Sequence, residues 1–164
     1  MKVLHVCLSC FYIDGLGYQE NFLVRQHVED GHDVLVIAST ETFDGHGGLT
    51  YVTPGSYPGS DGARVIRLPY ISWLPQKIAR KLRIHPNVYQ AVADFQPDTI
   101  LFHGCAGNEL VTVARYAKGH PEVLFYADSH EDYNNSARSF VSRRILHGLF
   151  YRNRLTKALP WVRK

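Results

Sequence analysis

Three places in the 164-residue sequence gather residue types that could do chemistry. Gly15-Leu16-Gly17 stands directly before a stretch with helical apolar spacing. Backbone N–H groups at a helix N-terminus suit a phosphate, and glycine lets it approach closely. Asp128-Ser129-His130-Glu131-Asp132 brings together four ionisable side chains. A histidine such as His130 could hydrogen-bond a sugar hydroxyl or shuttle a proton, while Glu131 and Asp132 could act as bases or orient it. His103, followed by Gly104, closes an apolar run in the same way. Each has a plainer role: a glycine turn into a helix, a strand end followed by a helix cap at Asn135 or Ser136, and a histidine held by a backbone carbonyl.

The elements that must position these residues follow from apolar patterning. Lys2–Leu8 is nearly all apolar and reads as a central strand buried on both faces. A helix is expected from Tyr18 to Asp30, ended by Gly31, and a second buried strand over 33–38. Residues 39–63, dense in glycine and proline, read as the longest irregular stretch. Further strands are expected at 63–68, 98–103 and 122–127. Helices are expected over 75–95 with a break near Pro86, over 108–118, and as one long basic helix from Ser136 to about Leu159. This order is the grammar of a single α/β domain, a Rossmann-like doubly wound, mainly parallel sheet. Ligands of such sheets sit beyond the carboxyl ends of the strands, which makes 9–17, 39–41, 103–107 and 128–135 the first places to look.

Several chemistries are disfavoured. The dinucleotide fingerprint needs a third glycine where this chain has Glu20, so nicotinamide binding is not expected. No P-loop, nucleophile elbow or H-E-x-x-H occurs, and His103-x-Cys105 is too short and isolated for a metal site. Cys7-x-x-Cys10 matches a redox spacing, but Cys7 falls inside an apolar strand, so plain reduced thiols are expected. No apolar run approaches a membrane span and no secretory leader is evident, so a cytoplasmic location is expected.

The net charge of +3 conceals an asymmetry. Residues 1–135 hold all fifteen acidic side chains and ten of the eighteen basic ones; residues 136–164 hold eight basic and no acidic ones. Trp73 to Arg83 is a second basic segment, with an aromatic at its head. Lys77, Arg80, Lys81, Arg143, Arg144, Arg152 and Arg154 are candidates to meet an anionic membrane surface. The plainer reading is a C-terminal helix whose apolar stripe, Val141, Ile145 and Leu149, packs on the sheet while its cations are solvated. Nucleic acid is not expected, since no recognition motif accompanies the charge.

Taken together, Lys2–Leu8, Asp14-Gly15-Leu16-Gly17-Tyr18-Gln19-Glu20-Asn21 and Gly31-His32-Asp33-Val34 running into Leu35–Ser39 resemble the start of family 4 glycosyltransferases of the GT-B fold. Asp128–Ala137 with Ile145-Leu146-His147 resembles members that build bacterial surface polysaccharides. The resemblance implies an N-terminal, acceptor-side domain of a retaining, metal-independent transferase. Its acceptor would be a glycan or a lipid-linked sugar, and its donor a nucleotide-sugar held by a C-terminal domain that this chain does not contain. Gly15, Gly17 and Tyr18 match the family's glycine loop, and His130 matches the histidine on the transferred sugar; Glu20, His103, Glu131 and Asp132 are further substrate-binding candidates, His103 by its place at a strand end. The same resemblance implies peripheral docking on the inner membrane face through basic, apolar helices. The E-x7-E motif is missing from the sequence, so the expectation is a truncated domain, inactive alone. The alternative is a non-catalytic Rossmann-like module that docks a partner or membrane through its basic C-terminal helix.

Overall fold

The computed structural model describes residues 1–129 and 142–163. The strands are β1 (Lys2–Cys7), β2 (Asp33–Ser39), β3 (Glu41–Phe43), β4 (Leu49–Tyr51), β5 (Gly55–Pro58), β6 (Arg64–Leu68), β7 (Thr99–His103) and β8 (Leu124–Asp128). The α-helices are α1 (Gln19–Glu29), α2 (Gln76–Leu82), α3 (Val88–Phe95), α4 (Glu109–Gly119) and α5 (Arg152–Ala158). Six strands form one sheet in the order β5-β6-β2-β1-β7-β8, parallel except where β5 runs against β6. The architecture is α/β with a mainly parallel sheet, compatible with a Rossmann-like fold.

Alternation along each strand explains the two layers, because successive side chains point to opposite faces. Leu4 and Val6 of β1, Leu35 and Ile37 of β2, and Ile100 and Phe102 of β7 face Val88, Val92 and Phe95 of α3 and Leu110 and Val113 of α4. On the other face, Val3 and Cys7, Val34, Val36, Ala38 and Val65 gather with Val24 of α1. Since β1 and β2 are buried on both faces, they read as continuous apolar runs, as central parallel strands do.

Two expectations are corrected. Residues 39–63 are not one irregular loop: they contain the β3–β4 hairpin and edge strand β5. Asp44 Oδ1 accepts the backbone N–H of His46 at 2.9 Å and of Gly48 at 2.7 Å, and Gly47 turns at φ +79°. The glycines therefore mark hairpin turns between strands too short and exposed to show apolar alternation. The C-terminal helix is also not uniform. Residues Ser142–Tyr151 wind in wide π-type turns, Arg152–Ala158 are α-helical, and a 3-10 turn at Leu159–Trp161 contains Pro160. Two members of its expected packing stripe do not lie on the sheet: Ile145 is 56% and Leu149 69% exposed, whereas Tyr151 and Ala158 are buried; Val141 lies outside the described residues. Among the described residues, no helix is long and apolar enough to cross a membrane.

Candidate functional site

Strand order reverses beside β1. The chain runs outward through β2 and β6 on one side, then crosses to β7 and β8 on the other. The loops leaving β1 and β7 therefore flank the switch point, where side chains of an open α/β sheet meet ligand.

The loop after β1 is held by Tyr12, Arg25, Asp61 and Arg67, which the sequence motifs did not single out, together with Asp14 and Asn21 from the glycine-loop motif. Asp61, almost wholly buried, accepts hydrogen bonds from Tyr12 Oη at 3.1 Å, Asn21 Nδ2 at 2.9 Å and Arg25 at 2.9 Å. Burial would raise its carboxyl, but the three donors outweigh that and hold it below the usual carboxylate range. Asn21 also donates to the Ile13 carbonyl at 3.1 Å. Arg67, buried, donates to the carbonyls of Tyr12 at 2.8 Å and Ser39 at 3.0 Å, fixing the loop to the end of β2. Asp14 receives the amide and hydroxyl of Ser60. What remains outside is the glycine turn. Gly15 has φ +78°, in the left-handed region that favours glycine, and Leu16 donates its amide to Ile13. Gly15, Gly17 and Tyr18 are exposed at the entry to α1, and Glu20 is half-buried in its first turn.

At the adjoining edge, His103 is buried and its Nδ1 lies 2.7 Å from Asp128 Oδ2. Gly104 donates its amide to Asp128 Oδ1 at 3.1 Å. Gly104 has φ +84°, and a Cβ there would stand 3.1 Å from the Ser9 backbone oxygen. Glycine thus lets the β7 loop lie against the β1 loop. Ser9 Oγ is buried there with no hydrogen-bond partner.

Two more histidines extend this pair inward. His5 Nδ1 is 2.9 Å from His103 Nε2, and His5 Nε2 is 2.9 Å from His27 Nδ1. The His5 and His103 rings are stacked, with centroids 5.2 Å apart. Burial first, then the neighbouring His103 and His27, keep the His5 imidazole well below its ordinary range despite Asp128. His27, half-buried on the last turn of α1, is lowered by burial and by His32, partly offset by Asp30. Neither His5 nor His27 stood out in the sequence. The only signal was a polar residue inside an otherwise apolar central strand.

Of the expected site residues, Gly15, Gly17, Tyr18 and Glu20 sit on the β1 loop and α1, and His103 sits at the β7 end. His130, Glu131 and Asp132 lie outside the described residues, as does the side chain of Arg143. Among the expected membrane-facing cations, Lys77, Lys81, Arg144 and Arg152 are exposed. Arg80 and Arg154 are instead half-buried: Arg80 stacks 4.0 Å from the Tyr51 ring centre and Arg154 4.9 Å from that of Phe150. Tyr151 Oη donates to the Lys81 carbonyl, so the C-terminal helical segment is tied to α2. Trp73, 77% exposed, and Ile78 project from that region.

No family model matches the chain, and no curated protein matches it.

Proposed function

We propose that this chain is the acceptor-side domain of a retaining glycosyltransferase that uses a nucleotide-sugar and a glycan or lipid-linked acceptor. One observation carries the reading: the glycine turn after β1 and the Asp128–His103 pair flank the same switch point, at the carboxyl edge of a mainly parallel sheet. That arrangement offers backbone N–H groups and a carboxylate, the groups that hold sugar hydroxyls and phosphates. The donor would be gripped mainly by a second domain, so the chain alone is expected to bind acceptor without turnover.

The test is a backbone-amide NMR titration of the chain with a panel of mono- and oligosaccharides, with NADH in parallel. Saturable shifts confined to 9–18, 103–107 and 128–129 are expected for at least one saccharide. Saturable NADH binding with no saccharide response would overturn the reading.

The location proposed is peripheral, on an anionic membrane surface. It is supported by Trp73, Ile78, Ile145 and Leu149, all exposed beside exposed Lys77, Lys81 and Arg152. Each cation near such a surface contributes about 1 kcal/mol, so the triple variant Lys77→Glu, Lys81→Glu, Arg152→Glu should weaken sedimentation with phosphatidylglycerol vesicles about a hundredfold or more. Unchanged sedimentation would remove the membrane from the proposal. Vesicle binding without any saccharide response would favour the non-catalytic docking module.

A further inference from the structure

Every contact in the His27–His5–His103–Asp128 series has the same sense. The Nδ1 of one ring faces the Nε2 of the next, and the last Nδ1 faces the carboxylate. This constrains the protons. With Asp128 ionised and His103 neutral, His103 donates Nδ1–H to it and its Nε2 accepts. His5 then donates from Nδ1 and accepts at Nε2, where His27 donates. If the three rings are neutral, each therefore carries its proton on Nδ1.

We propose that His27, His5 and His103 form a proton relay that couples the protonation of Asp128 to the tautomers of the buried rings and to the α1 side of the sheet. A proton arriving at His27 Nε2 is balanced by one shift along each of the three contacts. The His27 Nδ1 proton passes to His5 Nε2, the His5 Nδ1 proton to His103 Nε2, and the His103 Nδ1 proton to Asp128 Oδ2. One proton has entered and Asp128 is neutral. Each ring is again neutral, now with its proton on Nε2. The buried rings exchange tautomers and never rest as imidazolium ions, which burial disfavours at His5.

Among the described residues, several groups surround the relay, and the Asp128 side chain is itself 33% exposed. His32 and Asp30 face His27 from the end of α1 and the turn after it. Glu20 of α1 and Asp128 both act on Cys7, which neighbours Cys10. At the other end, Gly104 donates to the Asp128 carboxylate and Cys105 Sγ to the Asp128 carbonyl. Only His27 combines partial exposure with a ring nitrogen facing away from the series, so it is the port.

The relay's use rests on the reading that a hydroxyl-bearing ligand binds at the sheet edge. An ionised Asp128 accepts strong, charge-assisted hydrogen bonds from sugar hydroxyls, and a neutral one does not. His27, His5 and His103 are thus positioning residues for Asp128.

The test is a pH titration of the chain with 15N-labelled histidine and 13C-labelled aspartate. At high pH, His5, His27 and His103 are all expected as Nδ1–H tautomers, the minority form of free imidazole. On acidification, His5 and His103 should switch to Nε2–H over the same pH interval in which Asp128 protonates, without imidazolium shifts. In His103→Phe the series is cut beside Asp128, so the His5 tautomer should no longer follow Asp128 protonation. Fixed Nδ1–H tautomers throughout, imidazolium signals at His5, or a His5 tautomer that still follows Asp128 in His103→Phe would each overturn the relay. Should the variant fail to fold, the wild-type tautomer titration decides alone. None of these signals requires a saccharide. A relay without saccharide binding would leave the relay standing and remove the transferase reading, and the converse would do the opposite.

Discussion

Replacing Asp61 with alanine is expected to lower the unfolding free energy by about 3–4 kcal/mol, among the largest losses any polar substitution here should cause. The carboxylate joins three donors from two parts of the chain: Tyr12 on the β1 loop, and Asn21 and Arg25 on α1. Arg25 is half-exposed and can rehydrate, so little is lost there. Tyr12 and Asn21 are buried, and each would keep an unmet donor, at about 1–3 kcal/mol apiece. Typical domains have about 5–15 kcal/mol in total, so the variant should be visibly less stable in a urea titration at neutral pH. Asp61→Asn keeps one acceptor oxygen but turns an amide toward Arg25, and should fall between the two. A loss under about 1 kcal/mol in the alanine variant would mean that the loop is held chiefly by Arg67.

Acid should destabilise the fold in two stages. His85 is buried, and burial outweighs its bonds to the Pro69 and Leu68 carbonyls, bringing it down to about 4. Its Nδ1 lies 3.0 Å from the Pro69 oxygen, its ring packs tilted against Tyr70 with centroids 4.3 Å apart, and its Nε2 is buried without a partner. A histidine in an unfolded chain titrates near 6.5. Between those values the unfolded state binds a proton that the folded state refuses, so stability falls as pH drops through this window. His85 alone should cost about 3 kcal/mol between pH 8 and pH 4, with His5 and His27 adding in the same direction. Asp61 acts lower still. Its folded-state value lies below its unfolded one, so its stabilisation is present above the ordinary carboxylate range and lost as pH falls through the lowered value. The check is a series of urea midpoints from pH 8 to pH 4 on the wild type and on His85→Phe. The variant should show a shallower decline, and equal slopes would show that His85 is not responsible.

Much of the scaffold was legible because central parallel strands have a simple signature. Lys2–Leu8 and Asp33–Ala38 are apolar on both faces, so no competing pattern obscured them. The hairpin at Glu41–Tyr51 was not legible, since its residues are mostly exposed and carry no alternation. The glycine turn and His103 could be found because strand ends carry ligands in this architecture. The relay could not. His5 and His103 are 98 positions apart and His5 and His27 are 22 apart, and only the pairing of β1 with β7 and the packing of α1 align them. Asp61 and Arg67 were hidden for the same reason: their partners are set by topology.

The β3–β4 hairpin has a practical consequence for whoever wishes to lengthen or label this chain. Its two strands pair only with each other, and its tip is exposed. A side chain added at Gly45 would meet nothing within 4 Å. Gly47 offers the same open space but turns at φ +79°, where a side chain is strained. An inserted epitope or fluorescent domain should therefore enter at Gly45 and leave Gly47 untouched. There it would sit on a ribbon whose Phe43 touches Phe11 of the β1 loop and whose Tyr51 lies under Arg80 of α2, making the hairpin tip a vantage point onto both.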